Sequence, residues 1–303
     1  MNQIGQKRQN LWSTATAIKA TGGSSVIDWE ASGVSIDSRT TRKGDLFVAI
    51  MGPKFDGHDY VSTALNAGAA AALVARRPEG LGDGAPLLEV GDTTVGLERL
   101  GVYGRERAQA RIVAVTGSVG KTSVKEALAH VLGGQGSVSF SQGSLNNHFG
   151  VPLSLARLPE TAEYGIFELG MNHPGELSKL SLMVRPLVAV VTTVEPAHLE
   201  YFDSIEDIAR AKAEVFDGLE HGGTAILNRD NAYFDILADA ARNVGAKILT
   251  FGTQDVCDFR LADFELKSES SIVRLVYEEQ EFEYFLRMPG RHWVQNSLAI
   301  LAS

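Results

Sequence analysis

The stretch Arg111-Ile-Val-Ala-Val-Thr-Gly-Ser-Val-Gly-Lys-Thr122 decides how the chain is interpreted. A run rich in β-branched residues ends in a glycine turn, and an Ala- and Leu-rich segment from about Val124 to Leu132 follows it. This order predicts a strand, a loop and a helix. Gly117 and Gly120 let the loop backbone turn its N–H groups toward an anion, and the helix N-terminus adds partial positive charge. The stretch therefore predicts a phosphate-binding loop.

Lys121 and Thr122 extend this prediction to a nucleoside triphosphate with Mg²⁺. In loops of this kind the lysine reaches the β- and γ-phosphates, and the hydroxyl next to it binds Mg²⁺. The strict pattern has a glycine where this chain has Val115, and the earlier glycine is Gly117 instead. The alternative interpretation is an ordinary strand–turn–helix corner with a solvated lysine.

Composition and charge exclude several classes of protein. The chain has 303 residues, of which 44% are hydrophobic and 21% charged, as in soluble globular proteins. A net charge of −9 argues against a nucleic-acid groove and against binding to an anionic membrane surface. Cys257 is the only cysteine, so an internal disulfide is impossible and a reducing compartment fits. With no signal peptide and no long apolar stretch in the sequence, we expect a cytoplasmic protein without membrane insertion.

Hydrophobic periodicity predicts an α/β protein with two domains, 1–108 and 109–303. The first is a small α/β domain, and the second is a phosphate-loop domain with a mostly parallel sheet flanked by helices. A short antiparallel extension follows residue 257. Strands are predicted at 45–51, 69–74, 86–90, 111–115, 137–140, 164–169, 187–194, 224–227, 246–251, 259–266, 271–277 and 282–288. Helices are predicted at 60–67, 93–109, 122–132, 175–184, 204–220, 231–242 and 292–301.

Polar residues follow several strands of the predicted parallel sheet. Glu168 ends one strand, His198 follows the strand that ends near Val194, and Asn146 and Asn147 follow the strand near residue 140. Open parallel sheets bind ligands beyond the carboxyl ends of their strands. These side chains are therefore candidates to converge on the phosphate loop.

Several motifs occur in an order that resembles one family, the Mur ligases, which form amide bonds at the expense of ATP in peptidoglycan synthesis. The compressed loop Thr116-Gly-Ser-Val-Gly-Lys-Thr122 matches the family's phosphate loop and accounts for the displaced glycine. The resemblance covers nearly the whole chain. Its other motifs are Asp37-Ser-Arg39, Gly44-Asp-Leu-Phe-Val-Ala-Ile50, Asp56-Gly-His58, Leu145-Asn-Asn-His-Phe-Gly-Val-Pro152, Phe167-Glu-Leu-Gly-Met-Asn-His-Pro-Gly-Glu176, Pro196-Ala-His-Leu-Glu200, Ala209-Arg-Ala-Lys-Ala-Glu214 and Pro289-Gly-Arg-His-Trp-Val-Gln-Asn296.

The resemblance implies a reaction and its partners. The run from Phe167 to Glu176 is similar to the branch that joins D-Ala-D-Ala to UDP-N-acetylmuramoyl-tripeptide through an acyl phosphate, using ATP and Mg²⁺. The branch that adds the third amino acid is the alternative, and a nucleotide-binding form without ligation is another. Mur ligases also have a C-terminal domain after the helix that contains Asn296. We therefore expect this sequence to lack that domain, which the full-length chain or another chain would supply, and to ligate poorly by itself.

The resemblance also implies roles for individual residues. Lys121, Lys212 and His198 would be catalytic, and Lys212 would carry a carbamate, which offers oxygen ligands to a hard metal. The metal ligands would be Thr122, Glu168, His198 and Lys212. The nucleotide would contact Thr116, Gly117, Ser118, Val119, Gly120, Lys121, Thr122, Asn146 or Asn147, His292 and Asn296. The UDP end of the substrate would contact Ser38, Arg39, Gly57 and His58.

Each assignment has an alternative that the residues alone leave open. Glu168 is also consistent with a hydrogen-bonded acid at a strand end, and His198 with a structural histidine. Lys212 is also consistent with a solvated lysine on an Ala-rich helix, and Asp37-Ser-Arg39 with a turn that carries a surface ion pair. The family often has Asn where this chain has Trp293, so stacking would replace one polar contact near the adenine.

Overall fold

The computed structural model describes residues 9–196 and 201–303 and divides the chain into two compact units. The first unit comprises the chain up to Gln109 together with Pro152–Thr161. The second comprises Ala110–Val151 and Ala162–Ser303. No helix among the described residues is both long and apolar enough to cross a membrane.

The first unit contains a short antiparallel strand pair and a four-stranded sheet with the order β3-β4-β5-β6. All neighbouring strands of the larger sheet run parallel. The elements in chain order are β1 (Trp12–Ser13), α1 (Thr14–Thr21), β2 (Glu30–Ala31), β3 (Gly33–Ser35), β4 (Asp45–Val48), a 3₁₀ turn (Gly57–Tyr60), α2 (Val61–Asn66), β5 (Ala71–Val74), β6 (Leu87–Glu89) and α3 (Thr93–Arg107).

Side-chain caps explain where two helices of the first unit begin. Ser13 and Thr16 form a reciprocal cap at α1, in which each side chain accepts a hydrogen bond from the backbone N–H of the other residue. Asp92 accepts from the N–H groups of Thr94 and Val95 at the start of α3. The sequence analysis missed α1 because its Thr-rich segment has weak intrinsic helix propensity.

Residues Pro152–Thr161 belong to the first unit, although the domain boundary predicted at 108/109 assigned them to the second domain. Two glycines of α3 make this packing possible. A Cβ on Gly101 would lie 2.9 Å from the backbone of Pro152, and a Cβ on Gly104 would lie 2.4 Å from the carbonyl oxygen of Leu155. The indole of Trp12 adds a hydrogen bond of 2.9 Å to the carbonyl of Ala156.

The second unit contains a nine-stranded sheet with the order β15-β14-β13-β12-β11-β10-β7-β9-β8. Its elements in chain order are β7 (Arg111–Thr116), α4 (Lys121–Leu132), β8 (Val138–Phe140), α5 (Gly150–Ala156, which continues into the first unit), β9 (Tyr164–Glu168), α6 (Glu176–Val184), β10 (Val188–Val191), α7 (Ile205–Ala213), a 3₁₀ turn (Glu214–Phe216), β11 (Thr224–Asn228), α8 (Phe234–Asn243), β12 (Lys247–Gly252), β13 (Phe259–Leu266), β14 (Ser271–Tyr277), β15 (Gln280–Leu286) and α9 (Arg291–Leu301).

The sheet is parallel from β8 to β13 and antiparallel from β13 to β15. This arrangement confirms the predicted α/β class with a short antiparallel extension. Arg274 on β14 pairs with Asp263 on β13 at 2.9 Å and with Glu283 on β15 at 2.8 Å, which supports the register of the extension.

Helices cover both faces of the parallel sheet. One face packs with α4 and α9 in a core that includes Val113, Val115, Val124, Val294 and Leu298. The alternate residues of the strands point the other way and are also buried, so a second layer must cover them. Contacts of α6 with β7, and of α8 with β11 and β12, supply that layer.

Two predicted elements end earlier in the structure than expected, and a helix besides α1 was not predicted. The strand predicted at 187–194 ends at Val191, because residues 193–195 leave the sheet to bind Ser118. The helix predicted at 204–220 ends at Ala213, and the chain then turns so that Glu214 accepts from the N–H of Gly175. Helix α5 was not predicted, because glycine and proline at its start resemble a loop, although proline fits the first turn of a helix.

The close approach of Gly104 to the backbone of Leu155 yields a test of how residues 152–161 pack against α3. Gly104→Ala places a methyl group against a backbone oxygen that cannot rotate away, so we expect the free energy of unfolding to fall by about 1–3 kcal/mol. Gly91→Ala is the matched control, because a Cβ there meets nothing within 4 Å. Urea unfolding followed by circular dichroism measures both variants, and equal stability of the two would contradict the described packing.

Candidate functional site

The loop between β7 and α4 is shaped by two glycines in the second unit. Gly117 has φ of 146°, and a Cβ on it would lie 2.0 Å from the hydroxyl of Thr192. Gly120 has φ of 85°, and a Cβ on it would lie 3.0 Å from Oδ1 of Asn296. Side chains at either position would displace neighbouring groups or strain the backbone, so the loop requires glycine at both.

The strand order brings separate parts of the sequence to this loop. Strand β7 lies between β9 and β10, with Val115 opposite Glu168 on one side and Thr116 opposite Val191 on the other. The chain runs from β7 to β8 on one side, and it later returns from β9 across β7 to β10 on the other side. A crevice therefore opens beyond the carboxyl ends of these strands, where α/β proteins bind ligands.

Glu168 is the buried acid of this crevice, with only 1% of its surface exposed. Its Oε2 accepts a hydrogen bond of 2.8 Å from the hydroxyl of Thr122, and its Oε1 accepts one of 2.7 Å from the amide of Asn146. These contacts confirm that three of the predicted residues meet. They come from the helix after the loop, a strand end and the segment after β8.

Asn146 and Asn147, which the sequence left as alternatives, have different roles in the structure. Asn146 is joined to Glu168, as described. The side-chain oxygen of Asn147 accepts from the N–H groups of Phe149 at 3.2 Å and Gly150 at 2.9 Å, so it caps the start of α5.

Lys121 folds back over the loop that precedes it. Its ammonium donates to the carbonyl oxygen of Gly117 at 2.8 Å and to that of Ser118 at 3.4 Å. Burial lowers the pKa of Lys121, and the nearby charge of Glu168 opposes this effect. A cation held over a glycine loop in this way is available to a phosphate group.

Lys125 is a second buried cation that the sequence analysis missed, because on a helix it resembles a solvated lysine. None of its surface is exposed. Its ammonium donates to the carbonyl oxygens of Ser141 at 2.8 Å and Gly143 at 2.7 Å, and it lies 3.0 Å from Glu126 and 3.9 Å from Glu168.

Lys212 on α7 is buried, with 3% of its surface exposed. Burial and, as a smaller effect, the positive charge of Lys121 lower its pKa to about 7. Among the described residues its ammonium group has no hydrogen bond or ion pair. His198, the other predicted ligand of a second metal, lies outside the described residues.

Hydroxyl groups fix the loop to the end of β10, and sequence reasoning found neither of the contacts involved. Thr192 donates to the carbonyl oxygen of Val119 at 2.6 Å. Ser118 donates from its hydroxyl to the carbonyl of Glu195 at 2.9 Å and accepts from the N–H of Glu195 at the same distance. Because these partners are more than 70 residues apart in the chain, only the sheet topology reveals them.

Thr116 and Val119 complete the predicted loop residues. Thr116 ends β7 and is 1% exposed, and its hydroxyl is buried without a hydrogen-bond partner in the described part of the chain. Val119 is 57% exposed. The buried unpaired hydroxyl at the base of the loop is consistent with a site that a polar ligand completes.

Helix α9 brings one predicted adenine-side residue to the loop. Asn296 lies beside Gly120, because a Cβ added to Gly120 would be 3.0 Å from Oδ1 of Asn296. His292 is exposed at the start of the helix, and its ring centroid lies 5.8 Å from that of Trp293. These two rings are near each other, whereas no described contact joins His292 to the loop.

In the first unit, Ser38 and Arg39 follow β3 at the carboxyl edge of the parallel sheet. Asp37 accepts hydrogen bonds from the Arg39 guanidinium at 2.7–3.2 Å, and Arg39 leaves 86% of its side chain exposed. The Arg39 guanidinium lowers the pKa of Asp37. The segment is thus a turn with a surface ion pair, as one of the two interpretations of the sequence proposed.

Gly57 and His58 follow β4 at the same edge, and both are engaged by the unit itself. A Cβ on Gly57 would lie 2.7 Å from the backbone of Ala49 and Ile50. The buried ring of His58 lies 2.6 Å from Asp56 through Nδ1 and accepts from the N–H of Ala75 at 2.9 Å through Nε2. Backbone and side-chain bonds from His58, with one from Arg76, hold the pKa of Asp56 well below its usual range.

The second-unit crevice fits a nucleotide and a hard cation. Backbone N–H groups at a helix N-terminus suit phosphate, and Lys121 supplies a counter-charge. The oxygens of Thr122 and Glu168 lie 2.8 Å apart and are the donor type that Mg²⁺ prefers, with the remaining positions open to phosphate and water.

Two models of one protein family match the chain. The Mur ligase middle domain matches residues 115–303, and the catalytic domain of the Mur ligase family matches residues 30–95. The UDP-N-acetylmuramoyl-tripeptide--D-alanyl-D-alanine ligase of Rickettsia prowazekii (strain Madrid E) is 33% identical over 292 residues, which cover 96% of this chain and 65% of that protein.

Two solved structures share the fold. MurF from Acinetobacter baumannii has 32% identity and a TM-score of 0.84, with 96% of this chain and 64% of that chain covered. MurF ligase from Thermotoga maritima in complex with ADP has 28% identity and a TM-score of 0.74, with 89% and 62% covered. This chain spans less than two thirds of the length of each of the three proteins. The family inferred from the motifs is confirmed, and the chain belongs to the Mur ligase family.

Proposed function

We propose that this chain binds ATP with Mg²⁺ and serves a ligase that joins D-Ala-D-Ala to UDP-N-acetylmuramoyl-tripeptide. The observation that carries the proposal is the contact of Thr122 with Glu168 at 2.8 Å beside the glycine loop. It joins a phosphate site to a cation site. The name of the Rickettsia relative and the ADP in the Thermotoga structure support the same conclusion.

The reaction needs activation because a carboxylate is a poor electrophile. In the proposed sequence, the γ-phosphate of ATP is transferred to the terminal carboxylate of the tripeptide, giving an acyl phosphate. The amine of D-Ala-D-Ala attacks that carbonyl, and the tetrahedral intermediate collapses with loss of phosphate. Phosphoryl transfer of this kind depends on positioning and on neutralising charge.

The described residues provide both requirements. Lys121 would exchange its bonds to loop carbonyls for bonds to the transferred phosphate. Thr122 and Glu168 would hold Mg²⁺, which would neutralise negative charge on the phosphate groups. Asn146, already bonded to Glu168, would face the incoming groups, while Asn296 and His292 would lie toward the adenine.

Lys212 and His198 would hold a second metal. A buried lysine with a lowered pKa and no described partner is largely uncharged near pH 8, and a neutral amine reacts with carbon dioxide. The resulting carbamate carries a negative charge and two oxygen donors. It would therefore provide a ligand suited to Mg²⁺.

The first unit would bind the UDP end of the substrate, and the second unit would bind ATP. Ser38 and Arg39 are the side chains available for that role, because Arg39 is exposed and its guanidinium matches phosphate geometry. Gly57 and His58 would act by shaping the loop after β4. Both nucleotide substrates belong to the cytoplasm, where we place the protein.

Phosphate release tests the proposed function. With UDP-N-acetylmuramoyl-tripeptide and Mg-ATP, we expect D-Ala-D-Ala to increase phosphate release, since the acceptor consumes the acyl phosphate. A free amino acid in place of the dipeptide is the control. Stimulation by the amino acid alone would favour the branch that adds the third residue, and nucleotide binding without release would favour a form that does not ligate.

Lys121 gives a test of the nucleotide site that is independent of turnover. We expect Lys121→Met to weaken Mg-ATP binding about 10- to 100-fold, which corresponds to the loss of one charge-assisted hydrogen bond. Isothermal titration calorimetry measures this affinity. Lys179→Met is the matched control, because Lys179 is exposed on α6, and an equal affinity of wild type and Lys121→Met would exclude the assigned role.

The carbamate is testable by spectroscopy. In ¹³C-bicarbonate we expect wild-type protein to show one carbamate carbon signal that Lys212→Ala lacks. A small added carboxylate would restore part of the phosphate release of Lys212→Ala, because it supplies the missing oxygen donors. Identical spectra for the two proteins would rule out the modification.

A further inference from the structure

We propose that Lys125 is a positioning residue that holds Asn146 and Glu168 in the geometry required for Mg²⁺. This inference rests on the proposed function, because it concerns the same cation site. Lys125 does not face the loop glycines and would not touch the nucleotide. Its action would pass through the segment that follows β8.

Hydrogen bonds through Ser141 connect Lys125 to Glu168. The ammonium donates to the carbonyl oxygens of Ser141 and Gly143 at 2.8 and 2.7 Å. The hydroxyl of Ser141 accepts a hydrogen bond of 3.0 Å from the N–H of Glu168. Lys125 therefore links α4, the segment that contains Asn146, and the end of β9.

Burial makes this link strong. Lys125 and Ser141 expose 0% and 1% of their surfaces, so water cannot replace the ammonium as the donor to the carbonyl oxygen of Ser141. An unpaired buried polar group costs free energy, and removal of the ammonium would leave the carbonyl of Ser141 in that state. The segment from 141 to 146 would then shift toward water, and the amide of Asn146 would move with it.

The charge of Lys125 and its hydrogen bonds have opposite effects on the affinity for Mg²⁺. A cation 3.9 Å from Glu168 repels Mg²⁺, so loss of that charge alone would strengthen metal binding. Loss of positioning would weaken it. Since the carbonyl contacts are more than 1 Å shorter than the distance to Glu168, we expect positioning to dominate.

The experiment compares ADP binding with Mg²⁺ and with a chelator, by calorimetry on the whole chain. For Lys125→Met, which keeps the length of the side chain without its charge, we expect Mg-ADP affinity to fall about 10- to 100-fold, as for other residues that orient metal ligands. Metal-free ADP should bind as in wild type. Lys179→Met, on an exposed part of α6, should match wild type in both titrations.

Each outcome separates this inference from the proposed function. If Lys125→Met binds Mg-ADP as tightly as wild type or more tightly, the positioning role is overturned. The proposed nucleotide site would still stand in that case, provided that wild type binds Mg-ADP. Failure of wild type to bind Mg-ADP would instead overturn the proposed function. If thermal unfolding shows that Lys125→Met does not fold, Ser141→Ala takes its place, because it removes the bond to Glu168 and retains Lys125. The same selective loss of Mg-ADP affinity is then expected, and its absence would overturn the inference.

Discussion

The position of β7 between β9 and β10 is the constraint on which the candidate site depends. Its register places Thr116 beside Val191 and Val115 beside Glu168, so the loop that leaves β7 emerges between an acid and the hydroxyl of Thr192. The approach to Thr192 is so close that Gly117 can carry no side chain. The same glycine thus satisfies the packing of the sheet and leaves the loop backbone open to an anion.

The buried charges of the second unit differ in how they are compensated. Glu168 has hydrogen bonds from two side chains, and Lys125 donates to two carbonyls and lies near two carboxylates. The cost of burying these groups is offset by their partners. Lys212 is equally buried, yet it has no described partner and its pKa is lowered to about 7. That contrast distinguishes a lysine that stabilises structure from one suited to chemistry.

The sequence predicted the parts of the site that are contiguous in the chain. It did not predict the contacts that depend on the order of the strands. The glycine loop, Lys121 and Thr122 are contiguous, and hydrophobic periodicity located most of the parallel strands and their helices. Lys125 and Thr192 escaped notice because their partners are 16 to 73 residues away in the chain. The addition of Pro152–Thr161 to the first unit was missed for a similar reason, since the glycine faces that permit it lie on α3.

A residue within a motif need not touch a ligand, and the first unit shows why. Both ring nitrogens of His58 have partners inside the unit, and Gly57 is required by the backbone of Ala49 and Ile50. Arg39 differs because its partner, Asp37, forms an exposed ion pair, which contributes little to stability. A diphosphate offers the same planar guanidinium a similar geometry with greater negative charge. Exchange of Asp37 for phosphate would therefore cost little, which supports the proposed contact of Arg39 with the UDP end of the substrate.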